Sequence, residues 1–318
     1  MNTAHAKAEA ERLREEIARL KKEKNALIMA HYYQRDEIQE IADFIGDSLA
    51  LARKAADTDA DVIVMCGVHF MGETAKILCP GKTVLVPDPE AGCSLADSCD
   101  PVEFAEFVKA HPDHTVISYV NTSAAVKAHT DIVVTSGNAL QIVSQLPEGE
   151  KIIFGPDRNL GEYLNCVTGR NMVLWNGACH VHDRFSLERI AQMKREHSEA
   201  KILVHPECRR PLQLIADKVG STAALLAFAQ TDDAPEYIVV TESGILFEMR
   251  RKCPEKRFLA APAEDAECQC NECDYMKLNT LRKVYEALRD GRHEIHVDAD
   301  TAAKAVKSIE RMLEMSDR

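Results

Sequence analysis

Residues 26–48 read ALIMAHYYQRDEIQEIADFIGDS, and the same order of residue types returns twice along the chain. Residues 115–136 read TVISYVNTSAAVKAHTDIVVTS, and residues 201–222 read KILVHPECRRPLQLIADKVGST. Each copy opens on a run of strand character rich in Val, Ile or Leu. The run ends in a polar triplet: His31-Tyr32-Tyr33, Tyr119-Val120-Asn121 or His205-Pro206-Glu207. A helical stretch follows, then a short element reaching a hydroxyl at Ser48, Ser136 or Thr222. From the first triplet residue to that hydroxyl the spacing is 17 residues in all three copies. A recurrence this regular marks an internal structural repeat.

Outward from these segments, short apolar runs alternate with amphipathic helical stretches. The runs include DVIVMCG and TVLVPD in the first third, KIIFGPD and MVLWNG in the second, and YIVVTES and RFLAAP in the third. Alternation of this kind predicts parallel sheets covered by helices on both faces. The chain therefore reads as three homologous α/β domains, for which the three cysteines below suggest an arrangement around a pseudo-three-fold axis. The expected boundaries are 1–95 with an N-terminal helix, 96–182, 183–297, and a closing helix over 298–318. Leu13, Ile17 and Leu20 are expected on the buried face of the first helix, and Val306, Ile309 and Leu313 on that of the last.

At 318 residues and 46% hydrophobic content, the chain can fill two or three cores. A net charge of −12 argues against nucleic acid or an anionic membrane as partner, since either requires clustered Lys and Arg. No apolar run reaches the roughly 18 residues needed to span a bilayer. The charged, helical start lacks the apolar core of a signal peptide. Eleven cysteines in such a chain imply a reducing compartment, so the expected location is the cytosol.

In parallel α/β sheets, ligands gather beyond the carboxyl ends of the strands. The triplets sit at such ends. Side chains two apart on a strand share a face, so His31 with Tyr33, Tyr119 with Asn121, and His205 with Glu207 are expected to look into a common space. Ser48, Ser136 and Thr222 precede helical runs and read as N-caps, beside backbone N–H groups that attract phosphates and carboxylates.

Cys93, Cys179 and Cys273 each follow the last strand of their third, at intervals of 86 and 94 residues. Three thiolates from three copies of one unit suggest a shared metal on the pseudo-axis. A [4Fe–4S] cubane held by three cysteines has that symmetry and leaves one iron for substrate oxygen as a Lewis acid. Zinc on three thiolates has the same symmetry, so the spacing speaks for three ligands before it speaks for iron. Cys66, Cys79, Cys166, Cys208 and Cys253 read as structural, whereas Cys99, Cys268 and Cys270 stay open.

Several long motifs in order resemble the quinolinate synthase family of NAD biosynthesis. They are AHYYQ with GDSLALA, VPDPEAGCSLADSC, SYVNTSA with VVTSGNA, IFGPDRNLGEY, WNGACHVH, LVHPEC with VGST, and the last cysteine segment followed by MKLNTL. The resemblance spans nearly the whole chain. It implies Cys93, Cys179 and Cys273 as ligands of a [4Fe–4S] cluster with one open iron site that assists dehydration as a Lewis acid. Cys270 is a rival within the crowded third segment. It also implies condensation of iminoaspartate (iminosuccinate) with dihydroxyacetone phosphate, with loss of phosphate and water. The implied substrate site is lined by His31, Ser48, Tyr119, Asn121, Ser136, His205, Glu207 and Thr222. Proton transfer falls to Glu207, His205 and Tyr33, with Glu207 expected to favour protonation beside a dianionic substrate. An aspartate-oxidising enzyme is the expected supplier of one substrate.

Three other readings compete. The diphthamide-type family also resembles a three-domain protein with one cluster cysteine per domain. An iron–sulfur redox sensor or electron carrier needs a fully thiolate-ligated cluster and has no use for the triplets. A zinc scaffold is the third.

Overall fold

The computed structural model describes residues 3–264 and 271–318; Cys268 and Cys270 lie outside the described residues. Among these residues twelve strands form three four-stranded sheets, all of them parallel. The first holds β1 (Ala26–His31), β2 (Phe44–Gly46), β3 (Val62–Cys66) and β4 (Thr83–Leu85), in the order β2-β1-β3-β4. The second holds β5 (Thr115–Tyr119), β6 (Ile132–Val134), β7 (Ile152–Gly155) and β8 (Val173–Leu174), in the order β6-β5-β7-β8. The third holds β9 (Lys201–Val204), β10 (Lys218–Val219), β11 (Glu236–Val240) and β12 (Arg257–Ala260), in the order β10-β9-β11-β12.

The three sheets share more than strand order. Met29 pairs with Phe44, Ile117 with Ile132, and Leu203 with Lys218, which is one register at equivalent repeat positions. One carboxylate device also recurs. Asp43, Asp131 and Asp217 each accept the amide of a residue 15 earlier, on Ile28, Val116 and Ile202, at 2.8 Å. Their own amides donate back to the carbonyls of the same three residues at 2.9 Å. The pair of bonds pins the chain just before the second strand of each sheet, where the ladder has not yet begun. The signal of this aspartate in the sequence is a fixed spacing, 12 residues after the first triplet position in each copy.

By contact density the chain divides into two compact units, residues 1–93 with 274–299 and residues 94–273 with 300–318. In the first unit, Leu13, Ile17 and Leu20 of the helix Thr3–Glu23 are buried with Ile28, Val64 and Leu85 of the sheet and Leu281, Val284 and Leu288 of the helix Leu281–Asp290. Full burial of one such aliphatic side chain is worth about 1.5–3 kcal/mol. In the second unit, one core joins Ile202, Val204, Ile238 and Val240 of the third sheet to Phe185 and Ile190, with Cys179 and Cys273 packed at its edge.

The closing helix runs Ala299–Ser316 and buries Ala305, Ile309, Met312 and Met315. Val306 and Leu313 are only half-buried, so the apolar face is rotated from the expected one. Hydrogen bonds fix the rotation: Asn138 Nδ2 donates to Ser316 Oγ at 2.9 Å and Gln145 Nε2 to Met315 O at 2.9 Å. No helix among the described residues is long and apolar enough to cross a membrane.

Candidate active site

The first unit carries four of the expected residues. His31 ends β1 and is buried, and Tyr33 follows in a turn rather than in the strand. The two rings still meet edge to face, with centroids 4.4 Å apart. The turn makes that contact, since the Tyr33 amide donates to His31 Nδ1 at 3.2 Å. Ser48 is the first residue of the helix Ser48–Ala56, and its neighbour Asp47 is the cap, accepting from Ala50 N. Cys93 is half-buried.

In the second unit, residues from separate repeats converge. Tyr119 ends β5 and donates its phenolic hydrogen to Glu207 Oε1 at 2.6 Å. His182 Nδ1 lies 3.0 Å from Glu207 Oε2 and 3.3 Å from Cys179 Sγ. The other ring nitrogen of His182 is 2.8 Å from Thr241 Oγ1. His205 stacks on His182, centroids 4.6 Å apart, and its Nε2 is 3.2 Å from Ser136 Oγ. Glu207 N donates to His205 Nδ1 at 3.4 Å, so Nε2 is the ring nitrogen whose hydrogen faces Ser136. Asn159 Nδ2 donates to Glu207 O at 2.9 Å and to Asp183 Oδ1 at 3.1 Å. Asn121 is half-buried just beyond β5, and Thr222 is buried as the first residue of the helix Thr222–Thr231.

The capping expectation is corrected at all three hydroxyls. Asp47 and Ser221 are the caps of their helices, which leaves Ser48 and Thr222 at the first helical position. Ser136 sits two residues before the cap Asn138. Sequence spacing located the helix starts to within two residues; at Ser48 and Thr222 the preceding Asp or Ser takes the cap, and at Ser136 the helix begins later, after Asn138. The triplets also differ from strand segments. β9 stops at Val204 and β5 at Tyr119, so His205 to Glu207, and Asn121, stand on the turns that leave the sheet.

Glu207 is almost wholly buried. Burial alone pushes its carboxyl up, yet His182, His205 and the Tyr119 hydroxyl together hold it well below the usual carboxylate range. The raised group is Asp157, which burial and the nearby Glu207 charge push well above the ordinary range.

Asp157 has a structural part too. Its two oxygens accept from Leu160 N at 2.9 Å and from Cys179 N at 3.0 Å, so it caps the helix Arg158–Thr168 and holds the cysteine backbone. Glu242 repeats the arrangement after β11, accepting from Gly244 N at 2.7 Å and Cys273 N at 3.0 Å. Two of the three expected ligand cysteines therefore hang from fully buried carboxylates.

The donor chemistry fits a thiolate-held metal group. Cys93, Cys179 and Cys273 are half-buried, whereas Cys66, Cys79, Cys99, Cys208 and Cys253 are buried. Burial raises the thiols of those five, that of Cys99 to about 12. Cys166, expected to be structural, is exposed on the helix Arg158–Thr168. Cys179, His182 and Glu207 also place a sulfur, a nitrogen and an oxygen within 4.8 Å of one another, a grouping able to hold a metal ion. His182 was not singled out from the sequence; its Cys-x-x-His spacing from Cys179 was the available signal.

Parallel α/β sheets whose strand exits gather thiols, imidazoles, a phenol and a buried carboxylate define an enzyme with a metal-capable centre for small molecules. A family model described as Quinolinate synthetase A protein matches residues 15–314, and the chain belongs to that family. It is 54% identical to the quinolinate synthase of Trichodesmium erythraeum over 302 residues, covering 95% of this chain and 93% of the relative. It is 55% identical to that of Thermosynechococcus vestitus over 300 residues, 94% of each. With the quinolinate synthase of Chloroherpeton thalassium the identity is 53% over 302 residues, 95% of this chain and 94% of the relative. Membership decides against the diphthamide-type reading.

Proposed function

We propose that this member of the quinolinate synthase family condenses iminoaspartate (iminosuccinate) with dihydroxyacetone phosphate, releasing phosphate and water as quinolinate forms. The arrangement that carries the reading is the Tyr119–Glu207–His182 contact set beside His205, buried at strand exits. A substrate made of two small polyanions suits a site of strand-end donors and helix N-termini. We assign its carboxylates and phosphate to Ser48 of the first unit and to Asn121, Ser136 and Thr222 of the second, with His31 among the substrate-binding residues.

Cys93, Cys179 and Cys273 would hold a [4Fe–4S] cluster, which supplies a Lewis-acidic iron when bound. Around it the chain handles protons. Glu207, ionised and aimed by the Tyr119 hydroxyl and His182, is the acceptor for protons leaving the substrate carbons and nitrogen. His205, with its hydrogen on Nε2, donates to a substrate oxygen, and Tyr33 beside His31 exchanges protons in the first unit. Thr241 orients His182 through the opposite ring nitrogen. The condensation and dehydrations need no net electron transfer, so a redox role is not required.

We infer three homologous domains from the repeat, 1–95, 96–182 and 183–297, closed by 298–318. The proposed setting is the cytosol, with iminoaspartate supplied by an aspartate-oxidising enzyme. Anaerobic iron and sulfide content of wild type beside Cys93→Ala, Cys179→Ala and Cys273→Ala tests the ligand set. Quinolinate production from the two named substrates tests the reaction. Full iron content in any of the three variants, or no product from that pair, rejects the corresponding part.

A further inference from the structure

A third repeated device holds the polar triplets themselves. Eight residues after each first triplet position stands a side chain with two or more N–H donors: Gln39, Lys127 and Gln213. Gln39 Nε2 donates to Tyr32 O at 3.1 Å and Gln34 O at 2.9 Å. Lys127 Nζ donates to Val120 O at 2.8 Å and to Thr122 O. Gln213 Nε2 donates to Pro206 O at 2.9 Å and Cys208 O at 2.7 Å. In every copy the acceptors are the carbonyls one and three residues after the triplet begins. Gln39 and Lys127 are buried, Lys127 at 0% exposure, and Gln213 is half-buried.

We propose that Gln39, Lys127 and Gln213 are positioning residues, each clamping the turn that presents a triplet to substrate. The inference rests on the triplets lining the substrate site, as read above. The clamped turn has left the ladder of its strand, so the side-chain donor supplies the bonds that the sheet no longer does. A lysine is expensive to bury and serves here through geometry that an amide reproduces twice elsewhere in the same chain. Lys127 acts on Tyr119 and Asn121, and Gln213 on His205 and Glu207, without touching substrate.

The test uses cluster-loaded protein and compares Lys127→Gln and Gln213→Lys, which exchange the two clamp types, with Lys127→Met and Gln213→Leu, which abolish them. Quinolinate formation is measured as kcat and KM, at a temperature where each variant is fully folded by its own melting curve. The exchange variants are expected within about threefold of wild type, and the Met and Leu variants to lose about tenfold or more in kcat/KM. Should Lys127→Met fail to fold, the half-buried Gln213 pair carries the comparison. Unchanged kcat/KM in folded Met and Leu variants overturns the clamp. Equal losses in the exchange and apolar variants overturn it as well, since the donor geometry would then not matter. Tyr119→Phe separates the two levels: wild-type kinetics there reject the substrate-site reading beneath the clamp, whereas a defect there with silent clamp variants rejects only the clamp.

Discussion

Tyr119 and Glu207, 88 residues apart in the chain, meet through a 2.6 Å hydrogen bond from the phenol to the carboxylate. The contact joins the exits of two sheets built from different copies of one repeat. With His182 on its other oxygen, Glu207 is held as a charged, directed acceptor inside the protein.

Glu207→Gln keeps the shape of that group and removes its charge. In cluster-loaded protein it should lower quinolinate formation by a factor of about 10²–10⁴, the usual worth of a positioned acid or base. Turnover near the wild-type rate, with iron content unchanged, would show that another group handles the proton.

His182→Ala removes one partner of Glu207 and the imidazole held by Thr241. Loss of a hydrogen bond to a buried charge should lower stability by about 1.5–3 kcal/mol. Activity should fall in the folded protein as well. Urea unfolding and kcat at a folded temperature check the two separately; a stability loss with full activity confines His182 to the scaffold.

The repeated aspartates predict a stability effect in every copy. Asp43→Ala, Asp131→Ala and Asp217→Ala each leave one strand amide without its 2.8 Å carboxylate acceptor and should cost about 1–3 kcal/mol, with Asp43 also losing its ion pair to Lys21. Denaturant midpoints would show it, with kinetics of the folded protein unchanged.

Thiol labelling of metal-depleted, folded protein should separate the cysteines by burial. Cys93, Cys166, Cys179 and Cys273 are expected to react with a maleimide, and Cys66, Cys99, Cys208 and Cys253 to stay unmodified until denaturant is added. Loading the metal should protect Cys93, Cys179 and Cys273 while leaving Cys166 reactive. Peptide mass spectrometry reads both states, and protection of Cys166 instead would move the ligand assignment.

Removing iron with a chelator should abolish quinolinate formation and leave the far-ultraviolet circular dichroism of the folded chain in place, because three sheets with aliphatic cores do not need the metal to form. Full activity in metal-free protein would overturn the metal requirement.

Much of the architecture was legible along the chain. The periodic apolar runs marked the strands, and the 17-residue spacing marked the repeat, because both depend on local residue order. Leu13, Ile17 and Leu20 gave away the buried face of the first helix for the same reason. The rotated face of the last helix was hidden, since Asn138 and Gln145 set it from far away in sequence.

Residue order by itself determined three repeats of parallel α/β type, polar groups at their strand exits and a cysteine after the last strand of each. Only tertiary structure decided that His182 stands between Cys179 and Glu207, that Asp47 and Ser221 rather than their neighbours cap the helices, and that Glu207 is the carboxylate kept charged. Local pattern sets which element forms and which way a side chain leaves it. Hydrogen bonds and charge balance depend on distances between segments tens of residues apart, and those exist only once the chain is folded.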